Sequence, residues 1–251
     1  MLLTVDVGNT MTAAAVFKDE SIVHRGRVPT PERWTAGHFS RLLGSGLSRN
    51  VTAAIVSSVV PRLDRSLAAD IRRTCKRTPV FLDSCTKTGI VLKIDRPSQL
   101  GADRIADCAG ALELFPPPLI VIDSGTATTF DLLNAAGEYV GGCILPGIGI
   151  AIRSLAENTA KLKHIAFAVP ASPVGTNTTD SIRAGIFFGT IGALQHLIAC
   201  YRDVLGPESK VVATGGLVRH FQGKVPGIDA CEPDLIFLVL RRICLRLRSG
   251  A

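Results

Sequence analysis

Two stretches, LLTVDVGNTMTAAAVF at residues 2–17 and LIVIDSGTATTFDLL at residues 119–133, carry one pattern. An apolar run ends on an aspartate, Asp6 or Asp123, a glycine-containing turn follows, and a second apolar run begins. A third run comes after each, SIVHRGRV at 21–28 and GEYVGGCIL at 137–145. Short apolar runs separated by turn residues predict a three-stranded antiparallel meander in each half. The two aspartates stand nearly half the 251-residue chain apart, so an internal duplication organises the sequence.

The segments between follow from periodicity. PERWTAGHFSRLLGSGL (31–47) reads as helical, and AAIVSSVV (53–60) as a buried strand closed by Pro61. The next helix sets Leu63, Leu67, Ile71 and Cys75 at four-residue steps, an apolar stripe. VFLD (80–83) is a strand, and GADRIADCAGALEL (101–114) a helix turning Ile105, Cys108 and Leu112 inward. The prolines of FPPP (115–118) cannot continue that helix. Helices are expected over 147–160 and 178–205, a strand running into a glycine turn at VVATGGL (211–217), and a last helix through the 230s and 240s. The expected organisation is α/β in two related domains, residues 1–115 and 116–251.

A composition of 47% apolar and 20% charged residues excludes a disordered chain. The longest uninterrupted apolar runs, LIVI and LIFLVL, are too short for a bilayer, and the N-terminus lacks the basic start of a signal peptide. A cytoplasmic protein without a membrane partner is expected. Seven cysteines without a CxxC, and five histidines without an HxxxH, argue against structural zinc and a disulfide framework. Reduced, mostly buried thiols remain. The net charge of +7 admits nucleic acid as a partner. However, the one basic cluster, RRICLRLR (241–248), interleaves Ile243, Cys244 and Leu247 at helical spacing, as a solvated helix face does. Anionic phosphorylated substrates suit the charge equally well, and nucleic acid is not the expected partner.

A lone carboxylate ending a buried strand costs several kcal/mol unless a cation or hydrogen-bond donor meets it. Two such aspartates facing each other across an interdomain cleft would repel a triphosphate unless cations sat between. Magnesium suits that role at Asp6, directly or through water, because it binds one or two carboxylates and keeps waters and phosphate oxygens. The glycine after each aspartate lets backbone N–H groups approach phosphate, and Asn9, Thr10, Thr126, Thr128 and Thr129 can add side-chain bonds. A hairpin turn would use the same residue types. For a base that accepts a hydroxyl proton, Asp103 leads, at a helix start; the alternative is a first-turn acid beside Arg104. Asp107 and Asp131 are rivals at positions that fit solvent. TGG (214–216) fits either a platform for adenosine or a plain turn.

The duplication has the coarse signature of the actin-like (ribonuclease H-like) ATPase fold, two related domains around a cleft. In detail the sequence resembles the type III pantothenate kinases of that fold over nearly its whole length. DVGNT (6–10), IVSSVVP (55–61), KTGI (87–90), GADRI (101–105), IDSGTATTFD (122–131), GEYVGGCILPGI (137–148), VGTNTTDSI (174–182) and VVATGGL (211–217) carry the resemblance in order. It implies ATP-dependent phosphorylation of pantothenate to 4′-phosphopantothenate, the first step towards coenzyme A. It further implies that Asp6, Val7, Gly8, Asn9, Thr10, Met11, Thr12 and Ala13 line the ATP phosphates, with Thr126 also on ATP. Gly101, Ala102, Asp103 and Arg104 would contact pantothenate with Asp103 as proton acceptor, and Thr178 would touch substrate. Asp123 would help hold a monovalent cation, potassium or ammonium, and the chain would form a homodimer. Ile94 stands where many members carry a tyrosine. The alternative is a non-catalytic regulatory paralogue resembling a transcription accessory factor, favoured only by the basic C-terminal cluster.

Overall fold

The computed structural model describes residues 1–44, 46–86, 88–158 and 165–249. Strands β1 (Leu2–Val7), β2 (Met11–Lys18) and β3 (Ser21–Pro29) form the first antiparallel meander. β4 (Ala53–Ser58) then pairs parallel with β1, and β5 (Val80–Phe81) with β4. The second meander is β6 (Leu119–Ser124), β7 (Ala127–Leu133) and β8 (Tyr139–Pro146). β9 (Lys210–Thr214) pairs parallel with β6, and β10 (Ala230–Cys231) with β9. The sheet orders, β3-β2-β1-β4-β5 and β8-β7-β6-β9-β10, are the same topology twice. That is the duplicated actin-like architecture expected from the repeat.

The chain divides into two compact units. The first holds Met1–Ile90, Asp95–Gly110 and the segment from Asp234 onwards; the second holds Val91–Ile94 and Ala111–Pro233. In the first, alternation along β1 sends Leu3, Val5 and Val7 to one face, where they pack with residues of α1 (Ala36–Leu43) and α2 (Pro61–Cys75). Leu2 faces the other way, with Ala53 and Ile55 of β4, Ala102, Ala106 and Ala109 of α3 (Ala102–Leu114), and Val239, Leu240, Ile243 and Cys244 of α6 (Leu235–Ser249). The second unit buries Ile120, Ile122, Phe130 and Leu132 against α4 (Ile148–Glu157) and α5 (Thr178–Leu205).

Three expectations change. The first helix is confined to Ala36–Leu43, because the stretch before Thr35 takes extended and bend conformations. VFLD contributes only a two-residue strand. The helix expected over 147–160 runs Ile148–Glu157, and residues 159 and 160 lie outside the described residues. No disulfide joins the described cysteines, of which Cys75, Cys108 and Cys244 are buried; burial pushes the Cys75 thiol up to about 11.

α6 shows what its arginines do. The Arg241 guanidinium donates to the Asp19 carbonyl at 2.7 Å and lies over the Phe17 ring, while Arg246 donates to the Thr88 carbonyl at 3.3 Å. These two cations hold the helix to its own unit. α5 is apolar without a long uninterrupted apolar run. Its 28 residues include an 18-residue window of mean hydropathy 1.4, long and apolar enough to cross a membrane by length and composition alone. Its outer stripe is small: Gly185, Gly189 and Gly192 face open space.

Candidate active site

In the first unit, the candidate residues gather at the C-terminal ends of β1 and β4. Asp6 is half-buried at the end of β1, and the turn after it closes by a bond from Gly8 N to the Met11 carbonyl at 3.0 Å. The turn is pinned by the residue that follows β3. Thr30 Oγ1 donates to the Gly8 carbonyl at 2.6 Å, its N–H donates to the Thr10 carbonyl at 2.9 Å, and its hydroxyl lies 3.0 Å from Thr12 Oγ1. Thr12 is therefore fully buried and structural, whereas Asn9 and Thr10 remain exposed at the tip. A turn held this way presents its outer donors without having to be ordered by a ligand.

Beside it, Val59 N donates to the Val7 carbonyl at 3.0 Å, which fixes the chain leaving β4. Gly101 approaches this corner closely: a Cβ there would lie 3.5 Å from Val59 Cγ1 and would overlap Asp103 Oδ1. The first turn of α3 lies against β4, where Ala102 shares a core with Ala53 and Ile55, and a side chain at Gly101 would crowd the Asp103 carboxylate. Asp103 sits in that turn and accepts from Arg104 N at 2.8 Å. Burial raises its pKa above the ordinary carboxylate value, opposed by that N–H and by the Arg104 charge. A carboxylate made more basic by burial and held at a helix start has the properties of a general base.

The second unit builds the corresponding corner differently. Asp123 ends β6 beside Thr214 of β9. Leu217 N donates to the Ser124 carbonyl at 3.0 Å, Gly125 N to the Ala127 carbonyl at 3.0 Å, and Gly147 N to the Thr126 carbonyl at 3.2 Å. Gly215, at φ +93°, leaves no room for a side chain beside Asp123 and the Ser124 backbone, and Gly147 none beside the carbonyls of Gly125 and Thr126. TGG therefore belongs to the wall of the Asp123 turn, a link that spacing did not reveal. Thr128 and Thr129 are buried in β7, and Thr129 Oγ1 donates to Asp131 Oδ2 at 3.3 Å. Asp131 and Asp107, expected at the surface, are 1% and 4% exposed.

Thr178 stands at the start of α5, where Asn177 caps the helix by accepting from Asp180 N at 3.0 Å. An open groove of about 460 Å³ runs between α4 and α5, lined by Leu155, Thr178, Ser181, Ile182, Gly185 and Ile186. The structure thus brings Asp6, the DVGNT turn and GADR together in one unit, and sets Thr178 on a groove of the other.

The family described as type III pantothenate kinase matches residues 2–200. A type III pantothenate kinase from Myxococcus xanthus is 40% identical over 249 residues, covering 97% of each chain. Among solved structures, a Campylobacter jejuni protein assigned to the Baf family of transcriptional activators superposes with a TM-score of 0.62 at 19% identity, covering 99% of this chain and 100% of that one. An inorganic polyphosphate/ATP-glucomannokinase from Arthrobacter gives 0.52 at 14% identity, covering 98% of both. The two structures share the fold; the sequence match carries the chemistry. The chain belongs to the type III pantothenate kinases.

Proposed function

We propose that Asp103 is the base for the phosphorylation of pantothenate by ATP, with Asp6 and the turn after it on the triphosphate. The single observation that carries this is the half-buried carboxylate of Asp103, its pKa raised by burial, at the corner where the DVGNT turn also ends. Pantothenate's primary hydroxyl gives its proton to Asp103 as its oxygen bonds to the γ-phosphorus. The bond from that phosphorus to the β–γ bridging oxygen breaks, and ADP leaves with the electron pair. Arg104, next to the base, offers a cation for pantothenate's carboxylate.

Asn9 and Thr10 supply exposed donors to phosphate oxygens, with Val7, Gly8, Met11, Thr12 and Ala13 forming the framework that holds them. Thr126 takes a corresponding place on ATP, and Thr178, with Gly101 and Ala102, contacts pantothenate. The donor set fits magnesium. Among the described residues no three His, Cys, Asp or Glu side chains cluster for a metal, and magnesium needs only one or two carboxylates because phosphates and waters complete its shell. Asp6 would hold it, and it would neutralise charge on the transferring phosphoryl group. Asp123, walled by Gly215, would contribute to a potassium or ammonium site. The outer stripe of α5 beyond that groove, with Gly189 and Gly192 open and Phe188 37% exposed, is the face we assign to a homodimer. ATP supply places the reaction in the cytoplasm.

The test is ADP release with ATP, magnesium and pantothenate, in potassium and again in sodium, beside Asp103→Asn. The expected result is pantothenate-dependent turnover that needs potassium and falls at least about 10²-fold in the variant. A variant that retains full turnover would remove Asp103 from the role of base.

A further inference from the structure

β4 sends Ala53, Ile55 and Ser57 to the face of the first sheet that α3 covers. Ala53 and Ile55 join the core there with Ala102, Ala106 and Ala109. Ser57 comes next on that face and is fully buried, yet its Oγ has no hydrogen-bond partner among the described residues. Packing does not explain a serine here, since alanine would fill nearly the same space without burying a hydroxyl. Its neighbour Ser58 makes the contrast. Ser58 points to the opposite face, donates to Asp64 Oδ1 at 2.5 Å and accepts from Val60 N at 3.2 Å, a hydroxyl used by the fold.

The ladder shows what stands beside Ser57. Its Cα partner on β1 is Asp6. Register partners on parallel strands project from the same face, so the hydroxyl and the carboxylate lie side by side at the end of the sheet. We propose that Ser57 is a positioning residue for Asp6. With magnesium and ATP bound, rotation about χ1 turns the Oγ–H onto one carboxylate oxygen and leaves the other facing the hydrated metal. Being fully buried, Ser57 touches no substrate and acts only through Asp6. The inference rests on the assignment of Asp6 to magnesium.

The experiment compares Ser57→Ala and Ser58→Ala with the parent chain by three readouts: thermal unfolding of the free protein, Mn²⁺ affinity of the complex with a non-hydrolysable ATP analogue by EPR, and the magnesium dependence of turnover. Ser57→Ala is expected to unfold no lower than the parent, to bind Mn²⁺ about tenfold more weakly, and to need correspondingly more magnesium, with pantothenate KM unchanged. Ser58→Ala is expected to lower Tm and leave the metal dependence alone. Unchanged Mn²⁺ affinity in Ser57→Ala overturns the proposal. So does a shifted pH profile with unaltered metal dependence, which would assign the hydroxyl to Asp103. If the parent chain makes no phosphopantothenate, the kinase reading fails, while the Mn²⁺ comparison still decides the role of Ser57.

Discussion

The Asp6 turn and the Asp123 turn begin from the same three-stranded meander and are stabilised by different means. At Asp6 the clamp includes a side chain: Thr30, the residue after β3, bonds the Gly8 carbonyl and Thr12 through its hydroxyl and the Thr10 carbonyl through its backbone N–H. At Asp123 the clamp is backbone against backbone, with Gly147 and Gly215 pressed onto the turn. The first arrangement leaves Asn9 and Thr10 exposed as donors, which suits a mobile polyanion. The second sets a glycine against one side of its carboxylate, where no side chain fits, which suits a small ion. A duplicated scaffold thus supplies the position of a carboxylate, and the residues beyond the meander decide its use.

The contrast breaks most severely at glycine. Gly215→Ala puts a Cβ onto the Asp123 carboxylate and the Ser124 backbone at φ +93°, so strain and overlap add. A loss of roughly 3 kcal/mol is expected, lowering Tm by roughly 10 °C in thermal unfolding. Gly8→Ala meets only the Met11 carbonyl, at 3.0 Å, without a positive φ. It should unfold within a few degrees of the parent chain while raising the KM for ATP. Equal destabilisation of the two would refute the claim that the corners are clamped differently.

How much of this was legible follows from what the sequence encodes locally. The meanders and both strand-end aspartates are readable because alternation and turn residues lie within a few positions of one another. Asp107 and Asp131 read as surface positions and are buried for a physical reason. α3 is rich in alanine and so carries little contrast between faces, and β7 is a central strand whose two faces are both covered, so alternation does not imply exposure. The approach of Gly215 to Asp123 joins residues more than ninety positions apart, and only the parallel pairing of β9 with β6 brings them together. Ser57 reads as one more small residue in a buried strand; that its hydroxyl lacks a partner among the described residues is a property of the fold, not of the sequence.

The acid in the first corner sharpens the comparison through pH. Asp103 has a raised pKa in the folded protein, chiefly by burial. As a base it works deprotonated, so kcat/KM should rise with pH along a limb lying above the ordinary carboxylate range. Stability runs the other way. A raised folded pKa favours the protonated folded state, a contribution present below the unfolded pKa and lost as pH rises through the folded one. Thermal unfolding of the parent chain and Asp103→Asn across that range should therefore converge at low pH, with the parent losing stability relative to the variant as pH rises. A parent chain that gains on the variant over the same interval would show that Arg104 and the helix start outweigh burial.

The smallest effect expected is at Thr30. Thr30→Val keeps the shape and the backbone bond to Thr10 but removes the hydroxyl that reaches the Gly8 carbonyl and Thr12. Two partners lose a bond in a part-buried site, a cost of about 1–2 kcal/mol. The loosened turn should raise the KM for ATP several-fold and leave that for pantothenate as it was, because the first turn of α3 shares its core with Ala53 and Ile55 of β4 and makes no use of the Thr30 hydroxyl. The potassium dependence should not move either, since the Asp123 corner holds itself with glycines and owes nothing to that threonine. A change in cation dependence on Thr30→Val would mean that the two corners do not act independently, and the division between a side-chain clamp for the polyanion and a backbone clamp for the ion would have to be given up.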